Sequence, residues 1–154
     1  PDLNLAIIGA DNHQEFLERI DRSIRDRVVV LPKMPFDKLP EFLSVADIVV
    51  IPQRRTSDSV GQIPARLFDA MSMAKSIIAT RISDIPEVLG GCGYLVDSSE
   101  PSQLADAIQY ILGHPDEARA KGHAARERCK QKYDIHNLEL GLRELVEQVI
   151  DKKV

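Results

Sequence analysis

A glycine-containing loop, an amphipathic acidic helix and a buried strand follow one another in GQIPARLFDAMSMAKSIIAT, Gly61 to Thr80, and no other stretch is better spaced for chemistry. A loop that feeds a helix N-terminus aims unpaired backbone N–H groups and the positive end of the helix dipole at one point, an arrangement that holds phosphate. One turn further in, the carboxylate of Asp69 is spaced to accept hydrogen bonds from a sugar hydroxyl. Phosphate and ribose are thus within reach of one helical end, and the ligand this pattern suggests is a nucleotide. The plainer alternative for Asp69 is a helix acid that favours the macrodipole. Arg66, three residues before Asp69 on the same face, either pairs with it locally or serves as a cation for the donor phosphate or sugar.

The elements that must position these residues alternate between strand and helix. Strands are predicted at Leu3 to Gly9, Val28 to Leu31, Ile48 to Ile51, Ser76 to Thr80 and Tyr94 to Val96, each a short apolar run bounded by glycine, proline or polar residues. Helical spacing of apolar residues predicts helices over His13 to Ile24, Leu39 to Val45 and Ala65 to Met73, and then over Pro101 to Leu112, Pro115 to Tyr133 and Ile135 to Asp151. Pro101 and Pro115 fall at helix starts, where the missing N–H costs nothing. The order predicts an α/β, doubly wound, mostly parallel sheet with helices on both faces, a Rossmann-like arrangement that binds ligands at the carboxyl ends of its strands. Gly9, Pro32, Pro52 and Thr80 lie at such ends, and the polar loop Gln53 to Gly61 is the long connection before the main helix.

Composition narrows the function classes. With 154 residues and 44% hydrophobic content, one core and a single domain spanning 1–154 are expected. A net charge of −4 and a pI near 5.6 give no basic footprint for nucleic acid. No run approaches the length of a membrane span and no leader is evident, so a cytoplasmic setting is expected, with membrane contact only through parts outside this chain. Cys92 and Cys129 read as unpaired thiols. His13, His114, His123 and His136 lie in or beside predicted helices without metal-ligand spacing, so no metal site is expected. No nucleophile elbow or P-loop occurs, and Gly90-Gly91-Cys92-Gly93 lacks the flanks of a dinucleotide fingerprint. A receiver-like signalling domain would need a carboxylate after the third strand, where Pro52 and Gln53 stand.

Several blocks, in order, resemble the C-terminal domain of retaining, GT-B type glycosyltransferases of the glycogen-synthase-like group (family 4). Asp69 to Thr80, DAMSMAKSIIAT, resembles E-A-M-A-x-G-x-P-V-I-A-T; LAIIGAD at Leu5 to Asp11, ADIVVIP at Ala46 to Pro52, and Ile85 to Leu89 followed by Gly93 to Val96 resemble further blocks. The resemblance implies an acidic residue at Asp69 on the ribose hydroxyls and the Ala65 and Arg66 amides on the diphosphate. It implies that Lys33 and Met34 meet the nucleobase through their backbone, with Gly9 letting the chain pass closely, and that Asp58, Gly61, Gln62 and Pro64 surround the donor sugar. The substrate implied is a UDP-, GDP- or ADP-sugar with no metal or other cofactor. The reaction the resemblance implies is front-face retaining transfer to a glycan, lipid or small-molecule acceptor, with no catalytic residue supplied by this stretch alone.

The departures define the alternative. Where the family places a first glutamate eight positions before the second, this chain has Gly61; Asp58 is either its substitute or a solvated loop residue. Gly61-x-x-Pro64-x-Arg66-Leu67-Phe68-Asp69 resembles a subgroup with Pro-x-Lys in place of the first half of the motif. Ala74 and Ser76 replace the usual glycine and proline, so a differently shaped turn is expected there. The opening G-R-x-x-x-x-K-G strand and helix and the N-terminal acceptor domain are not in this sequence, which reads as a fragment of a two-domain enzyme. A non-catalytic nucleotide-sugar-binding or regulatory module is the alternative. Without its opening strand the sheet is expected either to pair the strands on each side of the gap directly or to recruit another copy, making self-association one of two outcomes.

Overall fold

The computed structural model describes residues 3–10 and 12–151, in two compact units divided after Phe42. The first unit contains β1 (Leu5–Ile8), α1 (His13–Glu18), a short 3-10 turn at Arg25–Arg27, β2 (Val28–Leu31) and a second 3-10 turn at Phe36–Lys38. α2 (Leu39–Val45) crosses the division. The second unit contains β3 (Ile48–Ile51), α3 (Ala65–Ser72), β4 (Ser76–Thr80), α4 (Ile85–Leu89), β5 (Tyr94–Val96), α5 (Pro101–Gly113), α6 (Pro115–Tyr133) and α7 (Ile135–Asp151).

All ladders are parallel, as short β-branched runs separated by helices dictate. β1 pairs with β2, Leu5 opposite Val28 through Ile8 opposite Leu31. β4 lies between β3 and β5, with Ile48 opposite Ser76 and Ile78 opposite Tyr94.

All five residues of β4 are buried, and the period-two alternation sends them to two cores. Ile77 and Ala79 join Leu67, Ala70 and Met71 of α3, Ile85 and Leu89 of α4 and Ala125 of α6. Ile78 joins Val96, Ile111 of α5 and Ala118 of α6 on the other side. Helices therefore cover both faces of this sheet, the α/β arrangement expected from the sequence.

Two elements differ from expectation for local reasons. α1 stops at Glu18 instead of continuing to Ile24, because the Asp21 carboxylate accepts from both the amide and the hydroxyl of Ser23 at 2.8 Å, and such an Asx turn competes with helix. α4 was not expected; its five residues are too few to display a period. It has proline in its first turn and ends on Gly90 in the left-handed conformation, φ 54°. Arg128 caps it from α6, donating to the Val88 and Glu87 carbonyls at 2.8 and 2.7 Å, a cation at the negative helix end.

The exit of α3 keeps the left-handed turn despite alanine: Ala74 has φ 54°, its N–H donates to Met71 O at 3.0 Å, and Lys75 N–H reaches back to Ala70 O at 3.1 Å. The expectation of a differently shaped turn is corrected accordingly. α6 runs antiparallel along α3, with Gly122 against the Ala74 carbonyl and Tyr133 edge-on to Phe68 at 5.1 Å. A Cβ on Gly122 would overlap that carbonyl, whereas nothing lies within 4 Å of one added to Gly141 in α7. Gly122→Ala is expected to lower the unfolding free energy by about 1–3 kcal/mol through overpacking, although helix propensity alone favours alanine by about 1 kcal/mol. Gly141→Ala should be neutral or stabilising. Urea unfolding of both variants checks this, and a stabilised Gly122→Ala would contradict the close helix approach.

Candidate functional site

The residues singled out by sequence fall in both units. In the first, Gly9 follows β1 with φ 87°, a conformation that favours glycine, and its N–H extends the ladder to Leu31 O at 3.0 Å. Lys33 is exposed and Met34 half-buried, just beyond the carboxyl end of β2.

In the second unit, the loop after β3 is held by its own hydroxyls. Ser59 is buried; its Oγ donates to Arg54 O at 2.5 Å and accepts from the Thr56 N–H at 2.8 Å. Thr80 Oγ1 donates to Gln53 O at 2.8 Å, fixing the start of the loop to the end of β4. Sequence reasoning missed Ser59, although a Ser/Thr-rich loop turning back on its own backbone is a recognisable signal. It also missed Gln53, whose buried Oε1 has no hydrogen-bond partner. Asp58 is exposed and accepts from Ser57 Oγ at 3.1 Å. Gly61 has φ 90° with open space where a side chain would be, and Gln62 N–H donates to Ser59 O at 3.2 Å.

α3 then begins at Ala65, preceded by Pro64, which makes no side-chain cap. The first amides of a helix have no intrahelical acceptor, and here Leu67 N–H turns back to Pro64 O at 2.9 Å while the Ala65 and Arg66 N–H groups precede it at the open end. Leu67, Ala70 and Met71 are buried, which anchors the helix and leaves this end exposed.

Asp69 is half-buried and lines a groove of about 380 Å³ between α3 and α6. Phe68 and Ser72 accompany it on the α3 wall, and Arg126, Cys129, Lys130 and Tyr133 form the facing wall. Burial pushes the Asp69 carboxyl above its ordinary value, against the opposing effect of the Arg66 charge. Arg66 is exposed and acts on Asp69 through space without closing an ion pair. The Cys129 thiol is pushed up by burial and then by the Asp134 and Asp69 carboxylates. Lys130 is held by Glu127 at 2.8 Å. A larger hollow of about 670 Å³ in the first unit, beside Arg19, Asp21 and Arg25, contains none of the expected site residues and is open to solvent. Among the described residues no group of three or more His, Cys, Asp or Glu side chains is placed to hold a metal ion. Both cysteines are free thiols, and no helix is long and apolar enough to cross a membrane among these residues.

An amide-presenting helix end with a desolvated carboxylate one turn on can take an anionic group and an adjacent hydroxyl. Comparison with known proteins gives the chain a family and a fold. The sequence matches the family Glycosyl transferases group 1 over residues 1–114. It is 28% identical over 149 residues to the alpha-maltose-1-phosphate synthase of Mycolicibacterium smegmatis, covering 86% of this chain and 37% of that protein. The fold matches sucrose-phosphate synthase from Thermosynechococcus elongatus at TM-score 0.78 and 23% identity, over 97% of this chain and 39% of that one. It also matches Anabaena HepE in complex with UDP at TM-score 0.79 and 18% identity, over 96% and 42% respectively. The chain therefore spans well under half the length of these proteins.

The raised pKa of Asp69 has a stability consequence. Its protonated form is favoured by folding, so the benefit is full below the ordinary value of 3.8 and lost as pH rises through the raised one. Ionised Asp69 thus costs stability at neutral pH, and Asp69→Asn should be more stable than the parent at pH 7, with the difference shrinking below the ordinary carboxylate range. Urea unfolding at both pH values tests this; a less stable Asn variant at pH 7 would contradict it.

Proposed function

The chain belongs to the Glycosyl transferases group 1 family, and from that membership we propose that it is the donor-nucleotide-binding, C-terminal half of a retaining, family 4 GT-B glycosyltransferase. The observation that carries this reading is the open N-terminus of α3, where uncapped amides at Ala65 and Arg66 stand one turn before the desolvated Asp69 carboxylate. The amides receive the diphosphate, aided by the helix dipole, and Asp69 accepts hydrogen bonds from the ribose hydroxyls. Asp58, Gly61, Gln62 and Pro64 surround the sugar.

The donor is a UDP-, GDP- or ADP-sugar, used without a metal in the cytoplasm, and the acceptor is a glycan, lipid or small molecule bound by a separate domain. Charge stabilisation on the leaving diphosphate is the contribution of this half. A second reading, a non-catalytic nucleotide-sugar-binding or regulatory module, is favoured by one feature: Gly61 stands where a donor-sugar carboxylate would be, with open space beside it.

Calorimetric titration with UDP, GDP and ADP should identify one preferred nucleotide, and Asp69→Ala should weaken its binding by about 1.5–3 kcal/mol, the worth of a charge-assisted hydrogen bond. Unchanged affinity in that variant would remove Asp69 from the site. This polypeptide alone should transfer no sugar, because a transition state clamped between two domains loses its positioning when one is missing. Transfer by the isolated chain, measured with the preferred donor, would contradict the division of labour.

A further inference from the structure

The fold leaves an acceptor unsatisfied at the head of the loop that leads to α3. Gln53, just past the end of β3, has its side-chain Oε1 buried without a hydrogen-bond partner. A buried amide oxygen without a donor costs free energy, and such groups are met by protein, by water or by a ligand. The residue is not free to withdraw, because Thr80 Oγ1 donates to the Gln53 carbonyl at 2.8 Å and ties it to the carboxyl end of β4.

The position of Gln53 assigns that oxygen to the donor-sugar end of the site. Strand alternation sends Val49 and Ile51 into the core that holds Leu67, Ala70 and Met71 of α3, and carried on past the strand it places Gln53 on the same side of the sheet. The loop then doubles back. Ser59 Oγ donates to Arg54 O at 2.5 Å, so the chain just before Gly61 meets the residue that follows Gln53. Gly61 offers no side chain, and nothing lies within 4 Å of where one would begin.

Access and charge both suit a sugar hydroxyl. Gln53 as a whole is half-buried, and the last torsion of a glutamine is broad and two-fold, so a turn of the amide brings Oε1 to the surface with the backbone in place. An amide oxygen accepts from a hydroxyl, and being uncharged it does not repel a diphosphate at the start of α3 as a carboxylate would.

We propose that Gln53 is a donor-sugar contact of this chain, its Oε1 accepting a hydrogen bond from a hydroxyl of the sugar where Gly61 has nothing to offer. The inference rests on the nucleotide-sugar reading above, and two titrations keep them apart. Calorimetry with UDP, GDP and ADP identifies the diphosphate that binds, and its glucose, galactose and mannose esters identify the donor that binds best. Gln53→Met should weaken that ester about two- to tenfold, the worth of one hydrogen bond, and leave the free diphosphate at its parent affinity. Its urea midpoint should be no lower than the parent's, since the substitution removes an orphaned acceptor of similar reach. Unchanged affinity for the ester would overturn the proposal and leave buried water as the partner of Oε1. Equal weakening of ester and diphosphate would overturn it too, marking Gln53 as a support of the loop. Binding of a diphosphate but of none of its esters would overturn this inference alone, whereas binding of no diphosphate would sink the nucleotide reading and this inference with it.

Discussion

Everything proposed for the site depends on how firmly α3 is held. Its Leu67, Ala70 and Met71 are fully buried against β4, α4 and α6, and Gly122 lets α6 approach until its backbone meets the Ala74 carbonyl. Burial of three side chains and a glycine-mediated helix contact fix the axis of a helix of only eight residues. A short helix held only by its own hydrogen bonds would fray at its first turn. Anchored as it is, α3 presents its opening amides as fixed dipoles, which need no reorganisation when an anion arrives.

The same anchoring explains the tension at Asp69. The packing that aligns α3 with α6 also draws the Asp69 carboxylate partly out of water beside Phe68 and Tyr133, and burial outweighs the help of Arg66. Ionised Asp69 is therefore held in this groove at a cost to the fold. The loop before α3 shows a related economy: the Ser59 hydroxyl and the Thr56 backbone satisfy each other, so Asp58 and Gly61 are carried on an ordered turn with their outer faces open.

Much of this was legible in the sequence because the strands are short β-branched runs bounded by proline and glycine; β2, β3, β4 and β5 fall on their expected residues. The start of α3 at Ala65 was legible for a related reason, since Pro64 cannot donate and marks the turn before the helix. α1 was overextended because helical spacing of Ile20 and Ile24 conceals the Asx turn at Asp21. α4 was invisible to periodicity, although Pro86 and Gly90 bracket it. The facing wall of the groove was missed altogether: Arg126, Lys130 and Tyr133 lie about sixty residues downstream and meet Asp69 only through the packing of α6 on α3. Local pattern carries no information about that contact.

The most direct test of the site is an amide-resolved NMR titration with the nucleotide that binds best. A diphosphate seated at the open end of α3 predicts that the Ala65 and Arg66 N–H resonances move furthest, with Asp69 and its neighbours next. Shifts centred instead on the hollow beside Arg19, Asp21 and Arg25, with the α3 amides unmoved, would contradict it.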